Sequence, residues 1–107
     1  ARRLFEREQD RDALSELNRV LFLSPYDADA LLLLGRIHLR SGRVTEAVDA
    51  LKIAVWSRDS ADARVALGDA YLAARDAAAA RAEAERALAL SPGYGPAQAV
   101  LDAVQAR

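Results

Sequence analysis

The chain has no cysteine and no methionine, one lysine, one histidine and almost no net charge. Without cysteine there is no disulfide framework and no thiolate for catalysis or metal binding, and the redox compartment stays open. Its 15 basic and 16 acidic residues leave a formal net charge of −1. The field that draws a protein onto a polyanion is therefore missing, and no nucleic-acid partner is expected. The longest charge-free stretch, residues 87–101, is interrupted by Pro92 and Pro96, so no membrane insertion is expected. Alternating β-branched runs and Asn-Gly turns are also missing, which argues against strands. Methionine is absent even as an initiator, as expected of a fragment or a processed product. Lys52 stands alone against 14 arginines in an alanine-rich chain, a bias expected of a bacterial protein from a GC-rich genome.

What is present is a repeat. Leu34-Gly35-x-x-His38 returns as Leu67-Gly68-x-x-Tyr71, Ala47 as Ala80 and Ala54 as Ala87, each pair 33 positions apart. Ala13, Leu17, Val20 and Pro25 anticipate the second half of the unit, at the internal spacing of Ala80, Ala84, Ala87 and Pro92. A period in this range marks stacked helical units, and 107 residues suffice for one domain of them.

The order of helices follows from caps and stops. Residues 1–7, with Leu4 and Phe5 as apolar remnant, read as the tail of a helix. A polar turn is predicted at Glu8-Gln9-Asp10, with Asp10 capping a helix that ends at Ser24-Pro25. The next helix opens near Asp27 and Asp29, acids suited to its positive end, and closes at Gly42 after Arg40. Helices are predicted over residues 44–57, over 61–74 behind Ser60, and from Asp76 to Leu90. Gly95 as cap and Pro96 as first helical residue start a last helix running to Arg107. The fold class expected is all-α, a solenoid of antiparallel helix pairs. Glycine inside a helix costs about 1 kcal/mol against alanine, so Gly35 and Gly68 need a reason. Close approach of two helices supplies one, and Gly35 is paired with Ala47 and Gly68 with Ala80.

The set L-G-x-x-[Y/H], A, [L/A], A, P resembles the tetratricopeptide repeat. On that frame residues 1–27 form a partial repeat, 28–60 and 61–94 complete ones, and 95–107 a closing helix. The chain departs from the frame in four places. The first complete unit is one residue short near Ser57–Ser60, Asp59 stands where proline is usual, His38 replaces an aromatic, and Ala84 is small. The resemblance implies a right-handed superhelix whose concave wall, built from the first helix of each pair, holds a peptide or partner protein. That wall would carry Asp29, Leu32, Leu33, Arg36, Leu39 and Arg40, then Asp62, Val65, Ala66, Asp69, Leu72 and Ala73, then Ala99, Val100 and Ala103. Leu32, Leu33 and Val65 read equally as core between units.

Arg36 and Asp69, equivalent positions on neighbouring units, either pair across the stack or orient a ligand. Asp29 and Asp62 read as first-turn partners of the helix dipole rather than catalytic acids. The wall lacks the lysines and asparagines with which some family members clamp a terminal carboxylate, so that function is not implied here. His38 has no second ligand nearby and reads as a hydrogen-bonded packing residue. The serines fall mostly at helix ends, and Gly93 and Gly95 around Tyr94 do not make a phosphate loop. No catalytic site, cofactor or metal is expected. Phe22 and Trp56 occupy similar repeat positions. Trp56 is expected to fill the place of the usual buried leucine, with a partner surface as the competing reading. The resulting expectation is a non-enzymatic interaction scaffold. The alternative is an assembly subunit that self-associates through repeat edges or its outer surface.

Overall fold

The computed structural model describes the backbone of residues 2–106, and the side chains of residue 9 and residues 11–106. Six helices follow one another: α1 (Arg2–Leu23), α2 (Ala28–Arg40), α3 (Val44–Ser57), α4 (Ala61–Ala73), α5 (Ala77–Leu90) and α6 (Gly95–Gln105). Among the described residues there is no strand. The turn expected at residues 8–10 does not form, and α1 runs through it. Residues 1–23 contain neither glycine nor proline, and Glu6, Arg7, Glu8, Gln9 and Arg11 are good helix formers. A polar stretch was read as a turn where nothing stops the helix. The side chains of Leu4, Phe5 and Asp10, and all of Arg107, lie outside the described residues.

The remaining boundaries follow the caps. Asp27 accepts the Ala30 N–H at 2.9 Å, Ser60 that of Ala63 at 3.1 Å and Asp76 that of Ala79 at 3.1 Å. Each satisfies a donor the first turn leaves without a helical partner. The turn after α2 closes with Gly42 N–H on the Leu39 carbonyl and Arg43 N–H on that of His38, with Gly42 at φ +80°. The turn after α4 repeats these bonds from Arg75 and Asp76, but here an arginine, Arg75, takes the left-handed conformation at φ +63°. At α6 the start differs by one residue from expectation: Tyr94 is the cap, and Gly95 and Pro96 are the first two helical residues.

Helices α2 and α3 pair, as do α4 and α5, and α6 packs on α5. Because α4 touches both α2 and α6, the first helices of successive units stand side by side. Helix α1 packs on α2 through Leu17, with Ala30 and Ile37 buried opposite it. Between the two complete units lie Ala47, Leu51, Ala66, Leu67 and Ala70. Between the second unit and α6 lie Val65, Ala80, Ala84, Ala87, Ala97 and Val100. The glycines serve close approach, though not against one kind of partner. A Cβ on Gly35 would overlap Leu51 and stand 2.6 Å from its Cδ2, whereas one on Gly68 would meet Val100 at 3.4 Å and the Ala80 carbonyl at 3.5 Å. Leu51, one turn beyond Ala47, fills the hollow that Gly35 leaves.

Asp59, where the frame usually has proline, ties the second unit together. Its carboxylate takes N–H donors from Arg64 at 2.8 and 3.0 Å, and Arg64 reaches on to Glu83 at 2.8 Å. Among the described residues Glu83 is the buried charged one, and Arg86 also donates to it at 3.2 Å. A carboxylate so placed is tolerable because both of its oxygens accept from arginine donors.

Candidate functional site

The three first helices present the wall, and burial sorts its expected members. Asp29, Leu33, Arg36, Arg40, Asp62, Asp69 and Ala73 are exposed, while Leu32, Leu39 and Leu72 are half-buried. Val65 and Ala66 are not on the open wall. Val65 packs with Ala97 and Val100, and Ala66 with Ala47 and Leu51. Val100 is buried as well, at 2% exposure. The reason lies in the stacking: neighbouring units rotate so that these positions face the adjoining unit, not the hollow. Leu33 has the same register as Ala66 and Val100, yet it is 48% exposed. The accessible wall is therefore more polar than expected.

Four of its side chains come together. Arg36 on α2 lies within electrostatic reach of both Asp69 on α4 and the Tyr94 phenol. Burial pushes the Asp69 carboxyl above its ordinary range, and Arg36 partly opposes this. Tyr94, at the entrance to α6, donates its hydroxyl to Asp62. That bond, which holds the phenol's proton on a carboxylate, raises its pKa first of all. Asp29, one unit earlier, receives the Arg58 guanidinium instead. Both first-turn acids are thus held by donors from the linker that closes their own unit. Sequence reasoning passed over Tyr94 as a turn residue. Its register to Asp27, the cap of the first unit, places it beside the first turns of the wall.

The other expectations resolve as follows. His38 is half-buried and accepts the Arg43 Nε–H through Nδ1 at 3.0 Å. Burial lowers its pKa, as does Arg43, and Glu46 opposes them. Trp56 does not fill a leucine's place and is 74% exposed. Helix α3 keeps its register through Ser57, so Val55 turns inward and the next residue points out. Tyr26 meets its ring edge-on, with centroids 5.4 Å apart, and the Ser57 hydroxyl donates to the Tyr26 carbonyl. A cavity of about 270 Å³ opens between Val44, Val48, Tyr71 and Asp76, away from the wall. Among the described residues no cluster of His, Cys, Asp or Glu could hold a metal ion, and no helix is long and apolar enough to cross a membrane.

A family model described as Tetratricopeptide repeat matches residues 1–59 and 53–95. A search of curated proteins finds no match. Repeats of this family generally mediate protein–protein interaction, and they typically serve as non-enzymatic scaffolds. The match spans most of the sequence, and the structure repeats one helix pair with a stacked third helix. The chain belongs to the tetratricopeptide repeat family.

Proposed function

We propose that the chain is an interaction scaffold whose wall of α2, α4 and α6 receives an extended segment of a partner protein. The observation that carries this reading is the meeting of Arg36, Asp69 and the Asp62–Tyr94 pair across three successive elements. Charges of both signs in a shared hollow give a passing segment direction and register. The half-buried Leu32, Leu39 and Leu72 offer the apolar contact beneath them. Asp29, Arg40 and Ala73 extend the surface along the same helices, and Leu33 borders it. Val65 and Ala66 support the wall from within.

A random-peptide display library selected on the immobilised chain tests this. Enriched peptides should lose binding to the Arg36→Ala/Asp69→Ala variant while helical circular dichroism stays unchanged, since both side chains are exposed. Peptides that bind the variant as well as the parent would remove the wall from the recognition surface.

A further inference from the structure

Away from that wall, the end of α1, the following turn and the end of α3 expose four large apolar residues. Phe22 is 86% exposed, Leu23 82%, Tyr26 62% and Trp56 74%. Tyr26 lies against Trp56, and the bonds from Ser57 to the Tyr26 carbonyl and from Arg58 to Asp29 fix the end of α3 to this turn. Tyr26 and Trp56 are thus braced together, and Phe22 and Leu23 end the helix that leads into this turn. Phe22 and Trp56 have the same register in successive units, 34 residues apart. This decides how their exposure is to be read. Val20 is also open, at 40%, whereas its counterparts Ala54 and Ala87 are fully buried. Trp56 is different. Its unit, α2 with α3, has neighbours on both sides, α1 before it and α4 after it, and the ring still faces outward.

An aromatic side chain can bury about 150–250 Å², so these exposed fractions amount to roughly 600 Å² of apolar surface. Monomers rarely expose a patch beyond about 300–600 Å², and one side of a standard dimer interface covers about 800 Å². The patch with a modest polar rim reaches that size. The elements that carry it bear charges of both signs. Arg58 is paired with Asp29 and Arg19 with Glu16, and α3 contributes Asp49 and Lys52. A rim of one sign would repel its own copy and select a partner of opposite charge. Charges of both signs around an uncharged aromatic centre do neither, and they meet the self-complementarity that a two-fold interface requires.

We propose that the surface of Phe22, Leu23, Tyr26 and Trp56 docks on the same surface of a second copy of this chain. The aromatic rings interleave at the centre, and the paired charges remain at the wetted edge. The helix wall stays open in both copies, so the dimer displays two of them.

Trp56 is the sole tryptophan, which makes the interface its own reporter. Light scattering should show the mass of the 107-residue chain rising toward twice 11.6 kDa with concentration. The Trp56 emission should move to the blue along the same curve. Phe22→Ser keeps the reporter and should raise the dissociation constant at least tenfold with helical circular dichroism unchanged. Arg36→Ala should leave it unaltered. A mass of one copy at every concentration overturns the proposal, as does a dimer indifferent to Phe22→Ser. A blue shift seen only on adding phosphatidylcholine vesicles, at the mass of one copy, would assign the surface to lipid and overturn it too.

Discussion

At the register where the first complete unit buries Leu31 and Ala50, the second places Arg64 and Glu83. The same helix pair is closed by apolar contact in one case and by an ion pair in the other. The contrast continues at the glycines. Leu51 fills the hollow at Gly35, but its counterpart Ala84 is too small to reach Gly68, and Val100 comes in from α6 instead. The turns differ as well: Gly42 takes the left-handed position in the first unit and Arg75 in the second. At these positions the first unit is thus closed by its own residues. The second relies on a charge network, a neighbouring helix and a strained turn. A repeat fold fixes where helices go, but leaves each unit to find its own means of holding them there.

The largest effect should come from the ion pair. Glu83→Ala takes from Arg64, whose side chain is 17% exposed, its buried partner and leaves it only the more exposed Asp59; the loss should be about 2–4 kcal/mol in a chemical melt. Adding Arg64→Leu reproduces the Leu31 and Ala50 of the first unit. The double variant should return to within about 1 kcal/mol of the parent or exceed it, since apolar replacement of a buried pair is often neutral or stabilising. A double variant as weak as Glu83→Ala would mean the two units are not interchangeable at this contact.

Next come the glycines. Gly35→Ala should destabilise by about 1–3 kcal/mol through overpacking on Leu51. Gly68→Ala, with ordinary contact distances around the new Cβ, should be neutral or gain up to about 1 kcal/mol from helix propensity. Equal losses in both would dissolve the distinction drawn from Leu51 and Ala84.

Smaller still is the turn. Arg75→Gly removes a left-handed side-chain conformation costing about 1–2 kcal/mol, part of which the freer unfolded chain gives back. Melting should show a gain below about 1 kcal/mol, and Gly42→Arg a loss of similar size or somewhat more. If Arg75→Gly destabilised, the arginine side chain would be contributing something the turn needs.

The least effect separates the units by acidity. His38, in the first unit, has a lowered pKa. Its stabilising share is whole above the unfolded value near 6.5 and is lost as pH falls through the lower folded value. Asp59, at the entrance to the second unit, is lowered chiefly by its hydrogen bonds from Arg64. Its share persists to more acid solution, being lost only as pH falls through a value below the usual carboxylate range. Residue-resolved hydrogen exchange should show the first unit weakening slightly in mild acid and the second at lower pH. Simultaneous weakening would contradict this assignment.

The helix order and the solenoid were legible because the signal is spread over caps, stops and a 33-residue echo. Orientation about a helix axis was less so. Val65 and Ala66 were placed on the wall because they lie on first helices. Which flank of such a helix faces the hollow depends on the rotation between units, which no single helix's periodicity contains. Gly35 was matched with Ala47 by likeness of size, whereas packing sets small against large, and Leu51 one turn on has the volume. Trp56 was moved inward on the strength of a one-residue deletion that α3, helical through Ser57, does not register. The Arg64–Glu83 pair could have been found by laying the two units over each other, since charged residues there replace Leu31 and Ala50. Tyr94 was only half legible: its register to Asp27 sets it beside the first turns of the wall, but its partner Asp62 lies 32 residues away across a turn whose path the sequence does not specify.

The two clasps from linker to first-turn acid, Arg58 on Asp29 and Tyr94 on Asp62, bear on how the array yields to force. Each ties the linker leading out of a unit back to the first turn of that same unit, so pulling the ends apart loads it early. They are unlike in kind. The first joins two full charges on exposed side chains and slackens as salt screens them, while the second is a hydroxyl on a carboxylate and has only one charge to screen. In rising ionic strength the stack therefore becomes a rod of uneven compliance, limber at its first joint and stiff at its second.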